Sequence, residues 1–132
     1  MVKSLTLVNC DEQYWPVVLE LRNDPANIAG FQQQADIPWA DHEAFMKKYS
    51  HGYRICLADG VPAGFVGVVN NDIRVATKPE FKKMGIGKFM INEIMKIYPN
   101  AIAMIKAENT ASRRLFESCG FKDTFVICEH KI

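Results

Sequence analysis

Residues 75–98 read VATKPEFKKMGIGKFMINEIMKIY, and this stretch decides the fold. A β-type run over residues 73–77 leads into Lys78-Pro79-Glu80, then a turn containing Gly85 and Gly87, then an amphipathic helix over residues 85–97. Ile86, Met90, Ile94 and Ile97 recur at helical spacing, and Phe89, Ile91 and Met95 widen the stripe, which predicts a helix packed on a sheet. Glycine lacks a Cβ, so backbone can approach a ligand closely in this turn. The first turn of a helix presents N–H groups with no intrahelical partner, and the dipole favours negative charge there. Strand, glycine turn and helix N-terminus together make a phosphate or pyrophosphate site. Lys78, Lys82, Lys83 and Lys88 surround it, with Glu80 the one opposing charge. The segment reads as a grip for the diphosphate of a nucleotide cofactor.

Elimination narrows the nucleotide. A P-loop needs a glycine five residues before its Gly-Lys pair and Ser or Thr after it. Here Gly87-Lys88 is followed by Phe89, and position 82 is Lys. A dinucleotide fingerprint needs a third glycine where this chain has Met90. Neither a nucleoside triphosphate nor NAD fits well.

The chain has 132 residues, which predicts one domain over 1–132, and 48% hydrophobic residues, enough for a core without staples. A net charge of +1 argues against nucleic acid or an anionic membrane as the main partner, so the lysines at the turn are a local patch. Cys10, Cys56, Cys119 and Cys128 show no CxxC spacing and no paired Cys/His run. They read as small buried hydrophobes in a reducing compartment, with no metal site. No signal-peptide pattern opens the sequence and no apolar run approaches a bilayer span, so the expected location is cytoplasmic.

Outward from the central stretch, residues 4–8 (SLTLV) predict a first strand. Asp11 is a candidate N-cap for a helix over 12–21, which Pro16 delays or kinks. Arg22-Asn23-Asp24-Pro25 signals a turn. Residues 26–37, with Phe31 and Gln32, Gln33 and Gln34, read as an irregular loop that either lines a pocket or simply connects two helices. Pro38 opens a helix to Tyr49 with Trp39, Phe45, Met46 and Tyr49 on its apolar face. Residues 53–58 and 64–69 form a hairpin around Asp59-Gly60, and residues 73–77 complete a meander after Asn70-Asn71-Asp72. Gly64 and Gly67 suggest a bulge or close backbone approach. Residues 101–107 (AIAMIKA) predict a central strand in a right-handed parallel unit with 73–77. Asn109 caps a helix over 110–118, Gly120 stops it, and residues 121–132 hold one or two further strands. The fold class is α/β with mixed α+β character, a mostly antiparallel sheet flanked by helices.

Two motifs now stand in order. Lys82-Lys83-Met84-Gly85-Ile86-Gly87 matches the pattern Gln or Arg, two residues, Gly, any residue, Gly or Ala, with Lys in first place. Ala107-Glu108-Asn109, Ala111 and Phe116-Glu117-Ser118-Cys119-Gly120-Phe121 follow the pattern Asn-x-x-Ala … Tyr-Glu-Lys-x-Gly-Phe, and Pro79-Glu80-Phe81 follows Pro-Glu-Tyr. With this element order, residues 74–121 resemble the GNAT superfamily of N-acetyltransferases. The resemblance implies acyl transfer from acetyl-CoA to an amine by direct attack in a ternary complex. It implies a pyrophosphate cradle from the backbone of Lys82, Lys83, Met84, Gly85, Ile86, Gly87 and Lys88. Val75, Ala76 and Thr77 would pair with the pantetheine arm as an added strand, and an N–H there could polarise the thioester carbonyl. Asn109 would bond the pantetheine or cap its helix.

Phe116, counted with the cofactor-binding positions, departs from the pattern. Many relatives place Tyr there as general acid for the leaving thiolate. Phe has no proton to give, so the thiolate leaves unassisted or through water, or Ser112 or Cys119 substitutes. An amine of pKa ≈ 10.4 is only about 0.04% neutral at pH 7, so a base must take its proton. Glu80, Asp72 and His42 are the candidates. Leu21 to Pro25, the glutamine loop, and Trp39, His42, Glu43 and Phe45 resemble members that acetylate nucleotide-linked amino sugars or protein N-termini. The expected acceptor is a small primary amine, an amino sugar or nucleotide-linked amino sugar. The alternatives are a protein N-terminal or lysine acetyltransferase and a non-catalytic CoA-binding module. No nucleic-acid or membrane partner is expected, and the chain is a monomer or homodimer.

Overall fold

A computed structural model describes residues 2–28 and 36–131. The elements are β1 (Leu5–Asn9), α1 (Trp15–Asn23), the single-turn α2 (Pro25–Ile28), α3 (Trp39–Tyr49), β2 (Tyr53–Ala58), β3 (Val61–Val69), β4 (Asp72–Thr77), α4 (Ile86–Ile97) and α5 (Thr110–Ser118). The strands form one antiparallel sheet in the order β1-β2-β3-β4. Positive φ at Asp59 and Gly60, and again at Asn70 and Asn71, makes both hairpin turns the tight kind that matches strand twist. The expected bulge lies between Cys56 and Leu57, opposite the Gly64 end of β3. Gly67 pairs with Tyr53, and a Cβ there would sit 2.6 Å from the Tyr53 ring, so this glycine exists to let the ring lie on the strand.

The sheet is covered on both faces because its strands alternate two apolar sets. Cys56, Val66 and Ile73 meet Ile86, Met90, Ile91 and Ile94 of α4 and Phe116 of α5. Ile55, Phe65 and Ala76 meet Val18 and Leu21 of α1 and Met46 of α3. Asp11 precedes a short 3-10 turn, and the α-helix proper begins at Trp15 with Pro16 in its first turn, the delay that proline imposes. The expected turn at 22–25 is a break at Asp24 between α1 and α2. Phe31 and Gln32, Gln33 and Gln34 lie outside the described residues.

Two expected strands are absent. In 101–107 the ladder is a single parallel bridge, Asp72 to Ile102. The Ile73 N–H donates to the Ile102 carbonyl at 2.8 Å, and the Ile102 N–H donates to the Asn71 carbonyl at 2.8 Å. Beyond it the segment leaves β4: Ala103 and Ile105 turn to the α4 core, while Ile102 and Met104 stay about half exposed with no layer to cover them. Residues 121–131 also form no strand, and Phe125, Val126 and Ile127 are exposed. High β-propensity makes a strand only where an edge is available to pair with. Two cysteines also differ from expectation: Cys10 and Cys56 are buried, but Cys119 is half-buried and Cys128 exposed.

Candidate active site

The departure of residues 103–106 from β4 opens a cleft of about 1200 Å³, lined by residues 72–77, the turn 81–88, residues 103–106 and the inner side of α5. The β4 edge facing it can be read from strand periodicity. The Ile73 N–H points outward to Ile102, and the Lys78 N–H points inward to the Ala63 carbonyl at 2.7 Å. With a period of two, the N–H and C=O of Val75 and Thr77 face the cleft, and those of Arg74 and Ala76 face β3. Among the described residues no strand pairs with β4 there.

The turn that follows keeps its backbone open. Lys83 has φ 63° and Gly85 φ 79°. Gly85 is the N-cap of α4, and no side chain caps that helix. The first N–H groups of α4 therefore remain unsatisfied at the cleft wall. A Cβ on Gly85 would meet nothing within 4 Å, whereas one on Gly87 would sit 3.0 Å from Leu115 of α5. Gly87 thus serves helix–helix approach as well as the turn. Lys82, Lys83 and Lys88 line the cleft; Lys78 and Glu80 do not.

On α5, the Asn109 side-chain oxygen accepts from the Ser112 N–H at 3.1 Å, which makes it the helix cap. Asn109, Ser112 and Phe116 line the cleft, but Cys119 does not. Phe116 is buried and packs edge-on against Phe121 at 5.1 Å between ring centroids.

The three base candidates separate clearly. His42 is fully buried. Its Nε2–H donates to the Trp15 carbonyl at 2.8 Å, and its Nδ1 accepts from Arg22 Nη1 at 3.0 Å. A carbonyl only accepts and a guanidinium only donates, so the ring is held as one neutral tautomer with both nitrogens engaged. Burial pushes its pKa below 6.5, against the Trp15 carbonyl and with the Arg22 charge. His42 is a core residue and cannot take a proton from an amine in the cleft. Glu80 is exposed and outside the cleft lining, so it does not face the reaction space. Asp72 lines the cleft, and burial raises its pKa above 3.8 against the pull of Arg74 and the Met104 N–H. Its Oδ2 lies 3.8 Å from Arg74 Nε, and its buried Oδ1 has no hydrogen-bond partner among the described residues.

Beside Asp72 lies a cluster that the sequence reading missed. The guanidinium carbons of Arg22 and Arg74 are 4.6 Å and 5.7 Å from the Phe45 ring centroid. Buried Tyr53 directs its hydroxyl toward Arg74; burial raises its pKa while both arginines hold it down. The available signal was Arg74 itself, a cation between the apolar Ile73 and Val75 in the middle of β4.

Comparison with known proteins agrees with this architecture. The model of the acetyltransferase (GNAT) family matches residues 15–121. No curated protein sequence matches the chain. Among solved structures, spermidine N-acetyltransferase from Vibrio cholerae, in complex with CoA and spermine, superposes with a TM-score of 0.80 at 17% identity over 97% of this chain and 86% of that one. The yncA protein from Salmonella typhimurium, with its cofactor acetyl-CoA, gives 0.76 at 17% identity over 93% and 82%. Aminoglycoside N-acetyltransferase AAC(6')-Iy in complex with CoA gives 0.68 at 19% identity over 98% and 93%.

Proposed function

Because the chain belongs to the acetyltransferase (GNAT) family, we propose that it transfers acetyl from acetyl-CoA to the primary amine of a small molecule, an amino sugar or nucleotide-linked amino sugar. The observation that carries this reading is one continuous open backbone surface. The cleft-facing groups of Val75 and Thr77 run into the left-handed turn at Lys83 and Gly85 and the uncapped start of α4. An extended amide-bearing arm ending in a diphosphate has the chemistry this surface requires.

Residues 82–88 hold the diphosphate through their N–H groups, with Lys82, Lys83 and Lys88 supplying charge. Val75 and Thr77 pair with the pantetheine amides. Bound acetyl-CoA supplies an activated acyl group as its thioester. The Val75 N–H donates to the thioester carbonyl oxygen, where negative charge develops. Asp72 takes the proton of the attacking amine: it is the one of the three candidates that lines the cleft, and its raised pKa makes it a stronger base than an ordinary carboxylate. Phe116 walls the site without donating a proton, and the departing thiolate, of pKa near 8.5, is protonated by water.

A specific observation favours one alternative. Phe116 carries no hydroxyl, and His42 and Glu80 do not face the cleft, which suits a module that binds CoA without turnover. Thiol release from acetyl-CoA across a panel of amines separates the two. Release with an amino sugar supports the transferase; tight acetyl-CoA binding without release across the panel supports the module.

A further inference from the structure

We propose that residues 122–131 form a strand against residues 102–106 of a second copy of this chain, in a reciprocal two-fold dimer. The two segments are unpartnered in complementary ways. Residues 122–131 are all exposed, and in the middle of them Phe125, Val126 and Ile127 are 93%, 85% and 72% exposed. The run is anchored only at its start: the Phe121 N–H donates to the Phe116 carbonyl at 3.1 Å, and Asp123 Oδ2 accepts from Arg113 Nη2 at 3.0 Å. Beyond Asp123 no hydrogen bond, ion pair or ring contact holds it among the described residues. Three consecutive large apolar side chains in water, two of them β-branched, mark a segment that pairs with another chain.

Residues 102–106 offer the matching edge. Ile102 meets Asn71 and Ile73 through its N–H and C=O, and the Met104 N–H bonds Asp72. With a period of two, the N–H and C=O of Ala103 and Ile105 therefore point away from β4, and no backbone bond uses them among the described residues. On the face turned from the α4 core, Ile102 and Met104 stand about half exposed. One side of the added strand reads Asp123, Phe125, Ile127, Glu129, and the receiving segment reads Ile102, Met104, Lys106. The apolar pairs coincide. An acid lies two residues beyond the apolar pair at either end, so Lys106 meets a carboxylate whichever way the strand runs. Val126 and Cys128 point to the other side of the strand. Covering these side chains and the main chain between them in both copies removes on the order of 1,200 Å², enough for a specific interface. The exchange is reciprocal and closes at two copies. Residues 103–106 are also a wall of the cleft, so the added strand braces that wall from outside.

Sedimentation velocity over a concentration series tests the contact. The expected species has twice the 15.0 kDa mass of the chain and dissociates on dilution. Phe125→Asp and Ile127→Asp change exposed positions, so both should fold with an unchanged circular-dichroism spectrum, and each should weaken the dimer at least about 100-fold. Lys106→Glu should weaken it about 10-fold, since like charges then face each other at both symmetry-related contacts. Glu129→Lys should do the same for parallel strands, or Asp123→Lys for antiparallel ones. Mixing Lys106→Glu with that second variant should restore a heterodimer of near-parent affinity, because each contact then joins opposite charges. Such restoration excludes a contact made within one chain or with an unrelated partner. A monomer at all concentrations up to about 1 mM, a dimer that survives Ile127→Asp, or failure of both mixtures to restore association overturns the assignment.

Discussion

Replacing Gly85 by alanine separates the turn's backbone geometry from its role toward a ligand. Gly85 has φ 79° and ψ 8°, a left-handed conformation that costs an L-residue about 1–2 kcal/mol. The added Cβ would meet no protein atom within 4 Å, so no steric cost adds to the strain. For a chain of 132 residues this lowers Tm by about 4–7 °C. The methyl group is added where the turn borders the cleft, beside N–H groups that would otherwise bond phosphate oxygens. Losing one such charge-assisted bond weakens binding by about 1.5–3 kcal/mol, or roughly 10- to 100-fold in Kd. Gly60 is the internal control. Its φ is 82° and it too has open space around its Cβ position, but it lies in the β2–β3 hairpin, away from the cleft. Gly60→Ala should share the fall in Tm and leave acetyl-CoA affinity unchanged. Calorimetric titration with acetyl-CoA and thermal unfolding of both variants provide the assay. Unchanged affinity in folded Gly85→Ala, or an equal loss in Gly60→Ala, would refute the assignment of the turn to the diphosphate.

Three further outcomes are expected. Asp72→Asn should reduce kcat by about 10²–10⁴-fold with acetyl-CoA affinity intact; its Tm should stay at or above the parent's, because the fold already disfavours the charged form of Asp72. A drop in Tm with kcat retained would make Asp72 structural. Stability should fall with acidification below pH 6.5 through His42. Its pKa is lowered in the folded state, so the unfolded chain binds the proton first, and the contribution is fully present above 6.5 and lost as pH falls toward the folded value. Urea titrations from pH 7.5 to 5 should show this slope, and His42→Gln should flatten it. Finally, burial pushes the Cys10 thiol up to about 12 and the Cys56 thiol up to about 11, while Cys128 is exposed. Mass-mapped alkylation of the native protein at pH 8 should therefore label Cys128 and spare Cys10 and Cys56 until denaturant is added.

Local chemistry was legible in the sequence wherever neighbours along the chain decide the conformation. Asp59-Gly60 makes its hairpin, Pro16 delays α1, Asn109 caps α5, and Gly120 ends it at φ 91°. The same holds for the stripe of α4 and for the glycine turn, since backbone permissiveness is a property of the residue itself. The sequence also identified the family pattern, because two motifs at fixed spacing are a one-dimensional signal.

Tertiary placement decided the rest. Residues 101–107 and 121–131 have strand composition, but pairing requires an edge held alongside by distant chain; beyond Ile102 residues 103–106 diverge from the open edge of β4, and among the described residues 121–131 pair with no strand. That missing ladder is what leaves Val75 and Thr77 facing an open cleft. His42 and Asp72 were equivalent candidates as residue types. Packing put one between Arg22 and the Trp15 carbonyl and left the other lining the cleft. Arg22, Phe45, Tyr53 and Arg74 are scattered over more than fifty positions and come together only because α1, α3 and the sheet share one face. Sequence fixes what each residue can do; the desolvation and neighbours that select among those abilities are set by contacts between segments far apart in the chain.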